Sequence, residues 1–138
     1  MPIEKKLLPE VQAFLAHRPI RMFVGGQWTE ASSGGVFKII DPGDGSVLAT
    51  VAEGGSADID RAVSHAAMAF KESGWATMPV KDRAGLLHRM ADLVDKHRSV
   101  LAQIESLDVG KPLAQAAGFD VPDVAQTLRW YADLAVRR

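Results

Sequence analysis

The chain has 138 residues, 47% apolar and 24% charged, with a formal net charge of -1 and no cysteine. That length sustains one domain with a real core and not two full ones. The near-neutral balance offers no electrostatic hold on nucleic acid or an anionic membrane, and the missing thiol excludes disulfides, thiolate–zinc sites and a cysteine nucleophile within these residues.

Residues 4–17 predict a short amphipathic helix. Leu7, Leu8, Val11, Phe14 and Leu15 share one face, with Pro9 acceptable only in the first turn and Pro19 ending the segment. The first twenty residues mix Glu4, Lys5, Lys6 and Glu10 with scattered apolar positions. They lack the continuous apolar stretch of a signal peptide, and no later run approaches the roughly 18–20 apolar residues that span a bilayer. A cytoplasmic location is the expectation.

From Arg21 the period changes. Met22-Phe23-Val24 and Gln27-Trp28-Thr29 flank Gly25-Gly26, a hairpin turn pair. Glu30–Gly35 is small and polar, hence a loop. Val36–Ile40 and Ser46–Val51 read as partner strands around the turn residues Asp41-Pro42-Gly43-Asp44-Gly45. Two small hairpins forming one irregular sheet are expected.

Helical spacing comes next. Ser56 is a suitable N-cap, Asp58 and Asp60 suit the positive end of the helix dipole, and Ile59, Val63, Ala66 and Phe70 form a stripe. Lys71 and Gly74 complete a helix of about 17 residues. A second pattern starts near Pro79 and keeps Leu86, Leu87, Met90, Leu93, Val94, His97, Leu101, Ile104 and Leu107 on one face. Ser99, as an N-cap, predicts a break between a helix ending near His97 and one over roughly 100–109. Gly110 and Pro112 stop it. A short turn is expected at Leu113–Ala117, an interruption at Gly118, and a last helix capped by Asp120 with Pro122 in its first turn. Hairpins first and helices after suggest α+β on pattern alone.

Little here announces chemistry. There is no G-x-G-x-x-G and no P-loop. His88 and Asp92 are four apart and predict a helix-face pair. His97 falls in the apolar stripe and reads as partly buried. Trp28, Trp75 and Trp130 are expected to pack. Glu105 and Asp108 are three apart. Asp108 sits at the negative end of a helix dipole, where a carboxylate needs Lys111, a backbone donor or a cation.

The order of motifs is more specific than any one of them. F-V-G-G-Q-W-T-E-A-S-S-G at 23–34 precedes I-I-D-P-G-D-G-S-V-L-A-T-V at 39–51 and D-I-D-R-A-V-S-H-A-A-M-A-F at 58–70. R-A-G-L-L-H-R-M-A-D-L-V at 83–94, E-S-L-D-V-G-K-P-L at 105–113 and L-R-W-Y-A at 128–132 complete the series. This series resembles the N-terminal portion of the NAD(P)-dependent aldehyde dehydrogenase superfamily. The resemblance implies an α/β parent fold. Residues 1–20 would be an N-terminal extension, and 21–138 the first part of the cofactor-binding domain, ending before the nucleotide-binding strands.

In that family a cysteine attacks the aldehyde, hydride passes to the nicotinamide, and a Glu-activated water releases the acid. Those groups, an oxyanion-stabilising Asn and the NAD or NADP site all fall downstream of these residues. The expectation is therefore a fragment, inactive alone, whose partners are the remainder of the polypeptide and further copies in a homo-oligomer. The alternative is a stand-alone helical interaction module, which the need to cover these helices disfavours. The resemblance further implies a potassium or sodium ion held by the carbonyls of Ile39 and Ile40 and the carboxylate of Asp108, oxygen donors suited to a hard cation. The segment L-L-P-E-V-Q-A-F-L at 7–15 is similar to the extension of phenylacetaldehyde dehydrogenases, with betaine-aldehyde-type enzymes as the rival.

Overall fold

The computed structural model describes residues 6–137. They fall into two compact units, divided between Ala76 and Thr77. The first holds α1 (Pro9–Leu15), β1 (Met22–Val24), β2 (Gln27–Thr29), β3 (Val36–Ile40), β4 (Val47–Ala52) and α2 (Ser56–Glu72). The second holds α3 (Val80–Lys96), α4 (Arg98–Val109), α5 (Leu113–Gln115), a π-helical turn (Ala116–Asp120) and α6 (Val121–Val136).

In the first unit α1 is shorter than the expected 4–17 helix, whose first two residues lie outside the described ones. Pro9 occupies the first turn, where its missing N–H costs nothing. Leu7 and Leu8 precede it in non-helical backbone. The hairpins form where turn chemistry placed them. Gly25 and Gly26 both take positive φ, which joins β1 to β2 in the register Met22↔Thr29, Phe23↔Trp28, Val24↔Gln27. A Cβ on Gly25 would lie 2.8 Å from the His65 ring, so the absence of a side chain also lets α2 approach the turn.

The expected single sheet is two separate two-stranded sheets. The outer edge of β4 is occupied otherwise: Ile20 N–H donates to the Thr50 carbonyl at 2.8 Å, and Ala52 N–H to Ile20 at 2.9 Å. Within the β3–β4 ladder, Ile39 faces Ala49 and Ile40 faces Val47, so Leu48 is a bulge. The turn before it is held by Asp41, whose Oδ1 accepts the Gly43 N–H at 2.8 Å.

At α2 the N-cap is Gly55, not Ser56. Gly55 has no side chain to cap with, and Asp58, three residues into the helix, does that work. Its Oδ2 accepts the Gly55 N–H at 3.0 Å. Asp58 also accepts the Ser32 N–H at 3.1 Å and the Ser32 hydroxyl at 2.6 Å, and Arg61 donates to it at 2.7 Å. It is 2% exposed. The Ser32 hydroxyl and the Gly55 amide, then the Ser32 amide and Arg61, hold its carboxyl below the ordinary carboxylate range against the opposing effect of burial. Sequence pattern assigned Asp58 only a favourable place on the dipole.

In the second unit α3 and α4 abut through His97, which takes φ -101° and ψ 14° and serves as the end of one helix and the start of the next. No residue is left between them for Ser99 to act as a cap. His97 is exposed, against expectation, because the joint lifts it out of the stripe. Gly110 ends α4 in the left-handed conformation, with φ 73°. Gly118 does not interrupt the chain beyond Pro112: helical backbone runs from Leu113 to Val136 through the π turn. There Arg98 donates to the Ala117 carbonyl at 2.6 Å. Asp120 is helical and caps nothing. The core here centres on Ala102, Ala116 and Val121, backed by Val94 and Ala117. The most extensive helix contact is α3 on α6, where Ala91 and Ala132 are both fully buried.

Candidate functional site

The stretch Ile104–Leu113 turns the chain between α4 and α5. Gly110 N–H donates to the Ser106 carbonyl at 3.1 Å. The Ser106 hydroxyl then reaches past the stop to the Lys111 carbonyl at 2.7 Å, so one residue satisfies groups on both sides of the helix end. Lys111 is the ionic centre of this turn. Its Nζ donates to Asp120 Oδ2 at 2.7 Å and lies 3.9 Å from Glu105. The hydrogen bond to Asp120, with Glu105 adding its charge, raises the ammonium above its ordinary value.

Asp108 is not the partner of Lys111. It is exposed, and among the described residues no hydrogen bond or ion pair engages its carboxylate. The helix rotates it away from Lys111, while Asp120, nine residues further on, returns through the π turn. That pairing was invisible at sequence level because Lys111 and Asp120 share no helical spacing.

The other expected cation ligands lie in the first unit. Ile39 is half-buried and Ile40 exposed, next to the Leu48 bulge. Among the described residues no group of three His, Cys, Asp or Glu side chains forms a metal centre. The sheets of the described residues are antiparallel hairpins.

The remaining sequence candidates resolve into packing and surface. His88 does not pair with Asp92: its Nε2 meets Asp133 on α6 at 3.0 Å. Asp92 instead accepts from Arg129 at 2.7 Å, and Asp95 lies 2.8 Å from the same guanidinium. These two carboxylates raise Arg129 above its ordinary value. Both links run from α3 to α6, across 45 and 37 residues of sequence, which no local spacing encodes. The tryptophans do not pack inside. Trp28 and Trp130 are each about three-fifths exposed, and Trp75 is also open. Trp28 touches Phe23, with ring centroids 5.2 Å apart. Their burial was inferred from side-chain type, and the described residues supply too little surface to cover them.

Comparison with known proteins decides the family. The model of the aldehyde dehydrogenase family matches residues 28–138. The chain belongs to the aldehyde dehydrogenase family. It is 42% identical over 115 residues to the mitochondrial benzaldehyde dehydrogenase of Antirrhinum majus, covering 83% of this chain and 22% of that protein. It is 40% identical over 130 residues to human retinal dehydrogenase 2, covering 94% and 25%. Among solved structures, the NAD+ complex of the Bacillus cereus aldehyde dehydrogenase matches with a TM-score of 0.88 and 41% identity, over 93% of this chain and 26% of that one. An indole-3-acetaldehyde dehydrogenase matches with a TM-score of 0.84 and 35% identity, over 94% and 30%. The chain thus spans about a quarter of the length of the relatives it matches.

Proposed function

We propose that this chain is the N-terminal scaffold of an enzyme that oxidises an aldehyde to its carboxylic acid with NAD+ or NADP+. The family match over 28–138 carries this reading, supported by a structural neighbour described as an NAD+ complex. The sequence holds no cysteine, and in this reading the chain's own contribution is architectural. It presents helix faces such as Ile59, Val63 and Phe70, more than half exposed, for the cofactor-binding sheet to cover. The same exposed faces weigh against the non-catalytic module. In this reading the complete protein is a cytoplasmic homo-oligomer.

The test is reduced-cofactor formation, followed by absorbance with an aldehyde panel and both cofactors. The polypeptide from the complete reading frame should turn over, and the 138-residue chain should not. Turnover by the pure chain, or none by the complete polypeptide, would overturn the assignment.

Ile39, Ile40 and Asp108 remain our proposed oxygen donors to potassium or sodium in the complete enzyme. The unengaged Asp108 carboxylate has the right donor chemistry. Potassium should raise the melting temperature of the complete protein, and Asp108→Ala should abolish that rise. An unchanged potassium response would remove the site.

A further inference from the structure

The first unit carries a groove of about 420 Å³ that the aldehyde oxidation reading does not use. Phe14 and Trp28 supply its flat apolar faces and Ile20 contributes to its lining, while Arg18 and Arg21 bring the positive charge and His17 adds an imidazole. No carboxylate is among the lining residues. The volume falls within the usual range of small-molecule sites, roughly 300–1,000 Å³.

The charge balance selects the ligand. Arg21 is already paired with Glu30 at 3.3 Å. Arg18 makes no hydrogen bond or ion pair among the described residues, so one full positive charge is left uncompensated in the groove. That suits a monoanion better than a phosphate dianion. Arginine's planar fork matches a carboxylate in particular. The aromatic lining comes from two elements, Phe14 on α1 and Trp28 on β2. An aromatic ring fits there better than an aliphatic chain, because stacked rings gain beyond simple area burial. We propose that this groove binds an aromatic monocarboxylate, with the carboxylate on Arg18 and the ring against Trp28.

Benzoate is the probe, titrated into the polypeptide from the complete reading frame with ¹⁵N-labelled tryptophan. The Trp28 indole N–H, identified by its loss in Trp28→Phe, should shift saturably. Arg18→Ala should weaken binding by about tenfold or more, the scale of one lost charge-assisted hydrogen bond, and Arg18→Lys should recover part of it. Arg18 is exposed, so the substitutions remove no buried packing, and the same spectra check that the variants are folded. Benzamide, which keeps the ring and lacks the charge, and acetate, which keeps the charge and lacks the ring, should both bind more weakly than benzoate. An unmoved Trp28 resonance, an undiminished affinity in Arg18→Ala, or acetate or inorganic phosphate binding as tightly as benzoate would each overturn the proposal. Turnover is not a readout, so failure here leaves the proposed oxidation untouched.

Discussion

At the scale of single residues, Asp58 organises the first unit. Its carboxylate collects two backbone amides, a hydroxyl and a guanidinium while almost fully hidden. Burying an ion this way is tolerable only when its lone pairs are satisfied. The folded carboxyl is held below its ordinary value, so at acid pH the unfolded chain binds the extra proton, and stability rises with pH. The contribution is complete above the ordinary carboxylate value near pH 4 and is lost as pH falls through the depressed folded value. Asp58→Asn should lower the melting temperature by several degrees at neutral pH and flatten its fall on acidification. Melting curves recorded from neutral to acid pH check this. Parallel wild-type and variant profiles would show that the charge is immaterial.

At the scale of elements, α3 and α6 meet through small residues, and two side-chain links, Arg129 with Asp92 and Asp95 and His88 with Asp133, run across the contact. Ala91 is fully buried, so Ala91→Leu should cost about 1–3 kcal/mol by overpacking. Ala67→Leu, on the exposed side of α2, should stay within about 0.5 kcal/mol. Denaturant titration of both variants measures the contrast, and equal effects would mean that α3 yields. The elements also show what sequence can carry. Gly25-Gly26, Gly74 and Gly110 were legible because a positive φ is a local demand that glycine meets locally. Ser56, Ser99 and Gly118 misled, because an N-cap or a break is decided by which neighbour satisfies the free amides. Here Asp58, the His97 joint and the π turn settled that. For the candidate site, the motif around Asp108 was legible, but the partners of Lys111, His88 and Arg129 lie across turns or on another helix.

At the scale of the molecule, the composition of the interior matters most. Nine of the twelve buried apolar residues described are alanine. A buried methyl contributes about 0.8 kcal/mol, against about 1.5–3 for a Leu or Phe, and the larger side chains are mostly outside. Phe70 is 84% exposed, and Ile59, Val63 and Trp130 are open as well. Chains with such surfaces associate. The isolated 138-residue chain should enhance the fluorescence of an anilinonaphthalene sulfonate dye and grow in mass with concentration by light scattering. Ile59→Glu with Phe70→Glu should reduce both signals. A monodisperse monomer that ignores the dye would contradict this account of the surface.

The bonds of Asp58 differ in the length of chain they close. Those to Gly55 and Arg61 span three residues, whereas those to Ser32 span 26. The local pair can form as soon as the first turn of α2 does. The Ser32 bonds close a segment that contains the β3–β4 hairpin, at the entropic cost of closing that loop. The start of α2 therefore carries one set of bonds that is local and a second set that ties it to the 30–35 loop, the second costing more chain entropy to close. Asp58 is in this sense a splice, one carboxylate fastening the start of α2 to a loop that lies before β3.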